Sequence, residues 1–363
     1  MTERRWIAGV EPAPELLGLD GTRMLEVECR EQPARLRALL DAYRTDAEVR
    51  EQMRAMKLAA AERTGPVLFL GMGGSLCSAI SGVAQLQLHG RAAFAVDAGE
   101  WLHVGVQTWK DAAFSVLLTT SGESAELVEL LRTGDRERMG LLSNNPASKG
   151  WALAARRLPI LAGPEYGNAT KTYTNSTAAA IVLASEMVGQ AWVEDGERAL
   201  EVFSAALERI FTQRAELDAF CAGAANVELI GRGAGFGAAV MGALTIREMS
   251  GLRAAPHTGA GFRHGPNLDV DASHVAVILA LGPAPELGVK LAEECVRRGG
   301  KVVLVSSEER PRTERLLPIQ IDAVAESWEG LTGILVPQAL TLALIERVGC
   351  RLPPRFEYGV MEQ

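Results

Sequence analysis

The feature that most constrains the fold of this chain is a pattern of strand, glycine turn and helix that occurs twice. The apolar run Val67–Leu70 leads into the glycine-rich turn Gly71–Ser75, and Val227–Gly235 repeats both 160 positions later. At the same offset, Val277–Leu287 lies over Leu117–Leu127. Two matching blocks at one offset indicate two copies of one α/β domain. Strand, turn and helix in this order form the repeating unit of a doubly wound parallel sheet.

Shorter apolar runs and longer helical stretches complete each copy of the pattern. Further strands are predicted at 92–96, 140–142 and 159–161, and helices at 176–188 and 197–220. Residues 25–61 are rich in Arg, Glu, Leu and Ala. They predict one or two lead-in helices with a break near Pro33, because proline removes a helical hydrogen bond.

Composition excludes several classes of protein. A chain of 363 residues with 48% hydrophobic content can bury a large core, and a net charge of −8 argues against a broad nucleic-acid surface. No stretch has the roughly 20 uninterrupted apolar residues of a spanning helix, so we expect no membrane insertion. Five cysteines without CxxC spacing favour a reducing cytoplasm over a disulfide framework or a zinc site.

A hydroxyl-rich turn follows the strand predicted at Phe114–Leu118. Four hydroxyls, those of Thr119, Thr120, Ser121 and Ser124, precede a helix. A helix N-terminus offers unpaired N–H groups and a positive dipole end, which together bind phosphate without a metal. The alternative is ordinary helix capping with Ser121 as the N-cap. Four hydroxyls exceed what a cap requires.

The second copy has lost this chemistry. Leu279, Ala280, Leu281 and Ala284 stand at the positions of the four hydroxyl residues. If each chain has one phosphate site, we therefore expect it in the first copy. The turn Gly71–Ser75 alone is weak support for a ligand site, because any tight turn between strand and helix favours glycine. It gains weight if its strand neighbours the hydroxyl-bearing one, since open α/β sheets bind ligands at the carboxyl ends of their strands.

Two titratable residues of the second copy are candidates for chemistry. Glu248 lies four residues after Leu244 and seven after Met241 on a predicted helix, hence on an otherwise apolar face. It is either a surface residue at a helix end or a desolvated base. His264 stands between Arg263 and a Gly-Pro turn, where a histidine is typical of a site rather than of a core. No histidine or carboxylate cluster predicts a metal.

The polar stretch between the two copies, Gly163–Asn175, contains Lys171 and precedes an Ala-rich helix. Its composition favours a solvated loop over a part of the site.

These motifs together resemble the double SIS (sugar isomerase) domain family, and most closely the isomerase half of glucosamine-6-phosphate synthase and stand-alone phosphosugar isomerases and deaminases. The resemblance covers nearly the whole chain. It is carried, in order, by Glu31–Pro33, Gly73–Ser75, Thr119–Ser124, Gly163–Thr174, Gly242–Leu244 with Glu248, Arg263–Pro266 and the helix at 337–345.

The resemblance implies an α/β fold of two flavodoxin-like SIS domains, each a mainly five-stranded parallel sheet flanked by helices. The expected organisation is a helical lead-in at 1–50, a phosphate-binding first domain at 51–200, a second domain with the catalytic residues at 201–345, and a tail over the active site at 346–363. It also implies a homodimer with shared active sites.

The resemblance further implies roles for particular residues. The sugar phosphate would be bound by Ser75, Thr119, Thr120, Ser121 and Ser124, and less directly by Gly73, Gly74, Lys171 and Arg263. Glu248 would be the base that moves a proton between C1 and C2. His264, contributed by the partner subunit, would open the sugar ring. No metal or cofactor is implied.

The chain departs from the synthase at several points. The lead-in is expected to be too short for a glutaminase domain, Met241 replaces a glutamate, and Gly359 stands nearest to the family's tail lysine. We therefore expect a cytoplasmic isomerase or deaminase acting on a hexose or amino-hexose 6-phosphate through an enediol or enaminol. The alternatives are a non-catalytic phosphosugar sensor and a synthase-like sugar-phosphate aminotransferase without its own glutaminase domain.

Overall fold

A computed structural model describes residues 21–105, 111–165 and 168–351 of the chain. These residues form two compact units, which divide between Gly196 and Glu197. Each unit holds one parallel five-stranded sheet with helices packed against it. The predicted α/β class with two copies of one domain is therefore confirmed. Of the tail expected at 346–363, the part from residue 352 onward, which includes Gly359, lies outside the described residues.

The first unit begins with two helices and continues as alternating strands and helices. Its strands are β1 Val67–Gly71, β2 Ala93–Asp97, β3 Phe114–Thr119, β4 Met139–Ser143 and β5 Arg157–Pro159. Its helices are α1 Gly21–Thr45, α2 Ala47–Ala61, α3 Gly74–Leu88, α4 Ala98–Glu100, α5 Ala125–Thr133, α6 Lys149–Leu153 and α7 Lys171–Val188. Both α1 and α2 pack against α7, and α2 runs across the domain boundary expected at residue 50.

Helix α8, Val193–Thr212, carries the chain into the second unit. The strands there are β6 Asn226–Gly231, β7 Arg253–Thr258, β8 His274–Ala280, β9 Lys301–Ser306 and β10 Leu316–Gln320. The remaining helices are α9 Arg214–Cys221, α10 Ala234–Ser250, α11 Gly259–Arg263, α12 Pro285–Arg297, α13 Glu329–Gly333 and α14 Leu335–Val348.

The two sheets share one topology. The strand order is β2-β1-β3-β4-β5 in the first unit and, read in the same direction, β7-β6-β8-β9-β10 in the second. This is the flavodoxin-like order, in which the first and third strands of the domain lie side by side. Strands β1, β3 and β4 are buried along their whole length, as is typical of parallel strands covered on both faces.

A glycine in the same place in both copies brings one helix close to the sheet and to the last helix of its unit. A Cβ on Gly82 of α3 would lie 3.0 Å or less from atoms of Ala180 and Phe69. A Cβ on Gly242 of α10 would lie 2.5 Å from Pro337 and 2.7 Å from Leu229. Close helix packing in each unit therefore requires glycine at this position, because a side chain would not fit.

The lead-in helix does not break where the sequence predicts it. Helix α1 runs through Pro33 without interruption, so the prediction of a break there is wrong. Proline at this position cannot donate to the carbonyl of Cys29, four residues earlier. The side-chain amide of Gln32 donates to that oxygen instead, at 2.9 Å. Both residues are fully buried, so the substitute bond satisfies a carbonyl that would otherwise be costly to bury.

Three other local predictions differ from the structure. Strand β5 ends at Pro159, two residues before the predicted end, and Leu161 beyond it has a positive φ of 58°. The helix predicted from 176 begins at Lys171. The stretch predicted as one helix at 197–220 is divided into α8 and α9.

Among the described residues, one helical stretch, 326–348, is long and apolar enough to cross a membrane. Most of it is buried within its unit, as expected of a core helix. The absence of a membrane partner stays a prediction.

The close approach at Gly242 gives a testable prediction about stability. Gly242→Ala should lower the free energy of unfolding by about 1–3 kcal/mol, because the new methyl group overlaps Pro337 and Leu229. Gly235→Ala, in the first turn of the same helix, is the matched control, since its Cβ would have no neighbour nearer than 4.0 Å. It should leave stability unchanged or raise it slightly. Urea unfolding followed by circular dichroism measures both, and equal midpoints would contradict the packing argument.

Candidate functional site

The hydroxyl-rich turn and the glycine turn of the first unit lie side by side. Strand β1 pairs with β3 in parallel, with Leu70 opposite Leu117. The loops that leave the carboxyl ends of these two strands therefore emerge next to each other. One leads into α3 and carries Ser75, and the other leads into α5 and carries Thr119–Ser124.

Helix α3 begins without a capping side chain. Its N-cap is Gly73, which has φ 53° and ψ −128°, a conformation that a residue with a side chain rarely adopts. The first amides of the helix therefore receive no side-chain acceptor, and Ser75 lies half-buried in this first turn. Unsatisfied amides at the positive end of a helix are suited to bind an anion.

The turn between β3 and α5 is held in shape by its own hydroxyls. The Oγ1 atom of Thr119 accepts from the N–H of Gly122 at 3.1 Å, and the Oγ atom of Ser121 accepts from the N–H of Glu123 at 3.2 Å. A hydroxyl that accepts one hydrogen bond keeps its own proton for donation. Thr120, Ser121 and Ser124 are half-buried, whereas Thr119 is 3% exposed.

Ordinary capping does not account for these hydroxyls. Ser124, and not Ser121, occupies the N-cap position of α5, and its side chain makes no capping hydrogen bond. The first turn of α5 thus resembles that of α3, with amides that no side chain caps. Two such helix ends and several hydroxyls lie at neighbouring strand ends of one sheet.

The second unit repeats the backbone of the glycine turn but not the polar groups of this arrangement. Gly233, the N-cap of α10, has φ 54° and ψ −130°, within 2° of the values at Gly73. At the start of α12, Ala284 replaces the N-cap serine and adopts a left-handed conformation with φ 62°. The chain has therefore kept the backbone of the glycine turn in both units, whereas the turn that carries the hydroxyls in the first unit differs in backbone and composition in the second.

The two candidate catalytic residues of the second unit do not meet within that unit. Glu248 lies half-buried near the C-terminal end of α10, five residues before β7 begins at Arg253. His264 is exposed and follows α11, beyond the carboxyl end of β7. The two residues are thus separated by the length of β7, and the structure of the unit does not bring their side chains together.

Two further candidates are held by ion pairs. The ammonium group of Lys171 is fully buried and lies 2.6 Å from a carboxylate oxygen of Glu31 and 2.6 Å from the carbonyl oxygen of Pro164. The guanidinium of Arg263 donates two hydrogen bonds of 3.1 Å to Glu294 on α12. Their roles toward a substrate stay predictions.

The polar stretch before α7 is not a solvated loop, so that interpretation is wrong. Lys171–Asn175 forms the first turn of α7, and its polar side chains are buried. The carboxylate of Glu165, 2% exposed, accepts hydrogen bonds from the amides and hydroxyls of Thr170 and Thr172. A buried polar segment is stable here because a single carboxylate satisfies several of its donors.

A second buried carboxyl escaped the sequence analysis. Glu329, 6% exposed, lies against the turn at Gly282, where an added Cβ would be 2.2 Å from its Oε2 atom. Burial raises the pKa of Glu329 to about 8, opposed in part by a hydrogen bond from the backbone N–H of Gly282. The sequence around Glu329 does not predict its burial, because only the fold brings this residue to the turn at Gly282.

The raised pKa of Glu329 predicts how stability depends on pH. Between about pH 4.5 and 8 the folded state holds a proton on this carboxyl that the unfolded state has lost. The free energy of unfolding should therefore fall as pH rises through this interval and level off above it, by an amount on the order of a few kcal/mol.

Glu329→Gln tests this dependence, because it keeps the shape of the side chain and cannot ionise. The variant should lose the decline in stability between pH 5 and 8 that the unmodified chain shows in urea titrations. Glu309→Gln, at an exposed position of the same unit, should retain it. A decline of equal size in both variants would contradict the assignment.

Among the described residues, no group of three or more His, Cys, Asp or Glu side chains could hold a metal ion. The candidate residues are thus backbone amides and hydroxyls in the first unit and, separately, Glu248 and His264 in the second.

Comparison with known proteins assigns a family to the second unit. The model of the SIS domain matches residues 222–346, which lie wholly within that unit. The chain therefore carries a SIS domain. The first unit has the same strand order, so the chain consists of two units of one fold.

The sequence relatives are aminotransferases. The chain is 31% identical over 212 residues to glutamine–fructose-6-phosphate aminotransferase (isomerizing) of Zymomonas mobilis, a match that covers 55% of this chain and 35% of that protein. The enzyme of the same name from Pyrococcus horikoshii is 27% identical over 290 residues, or 77% of this chain and 48% of that protein. The chain thus matches between a third and a half of the length of these two relatives.

Solved structures share the whole architecture. The C-terminal domain of glucosamine-fructose-6-phosphate aminotransferase from Francisella tularensis has a TM-score of 0.79 at 19% identity and covers 93% of this chain and 99% of that one. Tagatose-6-phosphate ketose/aldose isomerase from Escherichia coli has a TM-score of 0.73 at 18% identity. The match covers 92% of this chain and 94% of that one. Glucosamine-6-phosphate deaminase from Thermotoga maritima has a TM-score of 0.68 at 18% identity. The match covers 88% of this chain and 92% of that one. At these identities the likeness is one of fold.

Proposed function

We propose that this protein is a cytoplasmic phosphosugar enzyme that isomerises a hexose or amino-hexose 6-phosphate, or releases its amine, through an enediol or enaminol. The observation that carries the proposal is the pair of uncapped helix N-termini in the first unit, which stand at adjacent strand ends beside the hydroxyls of Ser75 and Thr119–Ser124. In a chain of net charge −8, attraction to a phosphate must come from such local donors.

In this proposal the phosphate is held by the first unit, and Glu248 supplies the base. Isomerisation between an aldose and a ketose requires one group that takes a proton from one carbon and returns it to the adjacent one. A half-buried carboxylate on a helix face that also carries the apolar residues Met241 and Leu244 meets that need. Release of an amine proceeds through the same proton transfer, so Glu248 serves either reaction.

Ring opening is assigned to His264, whose imidazole can relay a proton near neutral pH. The histidine is exposed and stands beyond the far end of β7 from Glu248. This separation supports a homodimer in which His264 of the partner subunit completes each site. The exposed side chain of Leu268, four residues after His264 and 67% accessible, would then be covered by the other subunit.

Exchange of the proton that isomerisation moves tests the proposal. The protein should exchange with deuterated water either the C2 proton of an aldose phosphate, in tests with glucose and glucosamine 6-phosphates, or a C1 proton of a ketose phosphate, in tests with fructose and tagatose 6-phosphates. The exchange is followed by NMR. Glu248→Gln should slow the exchange by about 10²–10⁴-fold and leave the dissociation constant nearly unchanged. Glu201→Gln, which removes an exposed carboxylate of α8, is the matched control and should exchange at the normal rate.

The same assay separates the proposed enzyme from the alternatives. Ammonia release with glucosamine 6-phosphate distinguishes a deaminase from an isomerase. A protein that binds these compounds tightly but exchanges no proton with any of them would be a phosphosugar sensor, and the proposed enzymatic function would then be wrong.

A further inference from the structure

The turn that carries the hydroxyls includes an acidic residue whose place there needs an explanation. Glu123 lies between Gly122 and Ser124, the N-cap of α5. A carboxylate beside an anion site is unfavourable, because like charges repel and the ligand would be a phosphate. The contacts of Glu123 indicate what offsets this cost.

The carboxylate of Glu123 is bound to the loop that follows the next strand of the sheet. Its Oε1 atom accepts a hydrogen bond of 2.7 Å from the backbone N–H of Lys149, the first residue of α6. Its Oε2 atom lies 3.4 Å from the ammonium group of Lys149, whose side chain is 75% exposed. The ion pair at this exposure contributes little, so the short bond to the backbone is the stronger contact.

A second contact reinforces the same connection. The N–H of Gly150 donates to the carbonyl of Gly122 at 2.9 Å. The two backbones are so close that a Cβ on Gly122 would lie 2.0 Å from the Oγ atom of Ser148. Ser148 in turn caps α6 by accepting from the N–H of Trp151. The hydroxyl-rich turn is thus fastened to the start of α6 at two successive residues.

We propose that Glu123 is a positioning residue for phosphate binding: through the backbone N–H of Lys149 it clamps the hydroxyl-rich turn in the shape that presents Thr120, Ser121 and Ser124 to the ligand. This inference rests on the proposed function for the nature of the ligand. Hydroxyls and amides fixed in a turn cannot follow a displaced phosphate as a long cationic side chain could, so their contribution to affinity depends on how rigidly they are held.

Two substitutions at one position isolate the clamp. Lys149→Pro and Lys149→Ala both remove the ammonium group, but only the proline also removes the N–H that Glu123 accepts. Lys149 stands at the first position of α6, where proline is tolerated. Ser148 before it has φ −77° and ψ 160°, a conformation compatible with a following proline.

Binding of inorganic phosphate, measured by titration calorimetry, is the readout. Lys149→Pro and Glu123→Ala should weaken binding by about tenfold or more, the usual consequence of losing a hydrogen bond to a charged group. Lys149→Ala and Glu123→Gln, which keeps an acceptor oxygen, should remain within about twofold of the unmodified protein. With a sugar phosphate that is turned over, the weakened variants should show a raised KM and an unchanged kcat.

The inference is overturned if Lys149→Pro binds phosphate as well as Lys149→Ala, or if Glu123→Ala binds it more tightly than the unmodified chain. In the latter case repulsion, and not positioning, would be the main effect of Glu123. Glu129→Ala, which removes a carboxylate paired with Arg132 on the outer part of α5, is the matched control and should change nothing. Circular dichroism and the urea midpoint verify that each variant is folded.

These outcomes are independent of those that test the enzyme. A protein that binds phosphate in the predicted order of variants but exchanges no proton would sustain the clamp and refute the enzymatic function. The opposite result is a protein that exchanges the proton, in which Lys149→Pro is as fast as Lys149→Ala at low substrate concentration. That result would sustain the enzymatic function and refute the clamp.

Discussion

The parallel pairing of β1 with β3 is the constraint on which the candidate site depends. Because Leu70 lies opposite Leu117 in one ladder, the loops after these strands emerge together, and the N-termini of α3 and α5 lie at the same edge of the sheet. Neither helix end is capped by a side chain. These helix ends and the hydroxyls around them therefore converge by topology, in the arrangement from which we propose that a phosphate is bound.

The duplication of the unit explains how the two units of one chain can have different roles. The backbone conformations at Gly73 and Gly233 agree within 2°, so the second copy has kept the geometry of the glycine turn. The second copy has lost the hydroxyls, and in its turn between β8 and α12 the buried carboxyl of Glu329 lies against Gly282. We infer that the first unit retains the role of anchoring phosphate, while the second contributes Glu248 and His264.

The direction of the strands decides whether Glu248 and His264 can contact the same ligand within their unit. Helix α10 runs back from the carboxyl edge of its sheet, so Glu248 near its end stands at the start of β7, and His264 stands beyond the end of β7. Glu248 and His264, which we propose as base and ring-opening acid, lie at opposite ends of one strand and so cannot both act on one small sugar within their unit. This geometry is what supports a shared site in a homodimer.

The sequence alone determined the two-fold repeat, the parallel α/β class and the hydroxyl turn, because buried apolar strands, glycine turns and runs of Ser and Thr are local signals. Tertiary structure decided what depends on distant partners. Helix α1 continues through Pro33 because Gln32 replaces the missing donor, and Lys171 is buried because Glu31 reaches it. The contact of Glu123 with Lys149 and the raised pKa of Glu329 likewise arise only where the fold removes water and brings separate segments together.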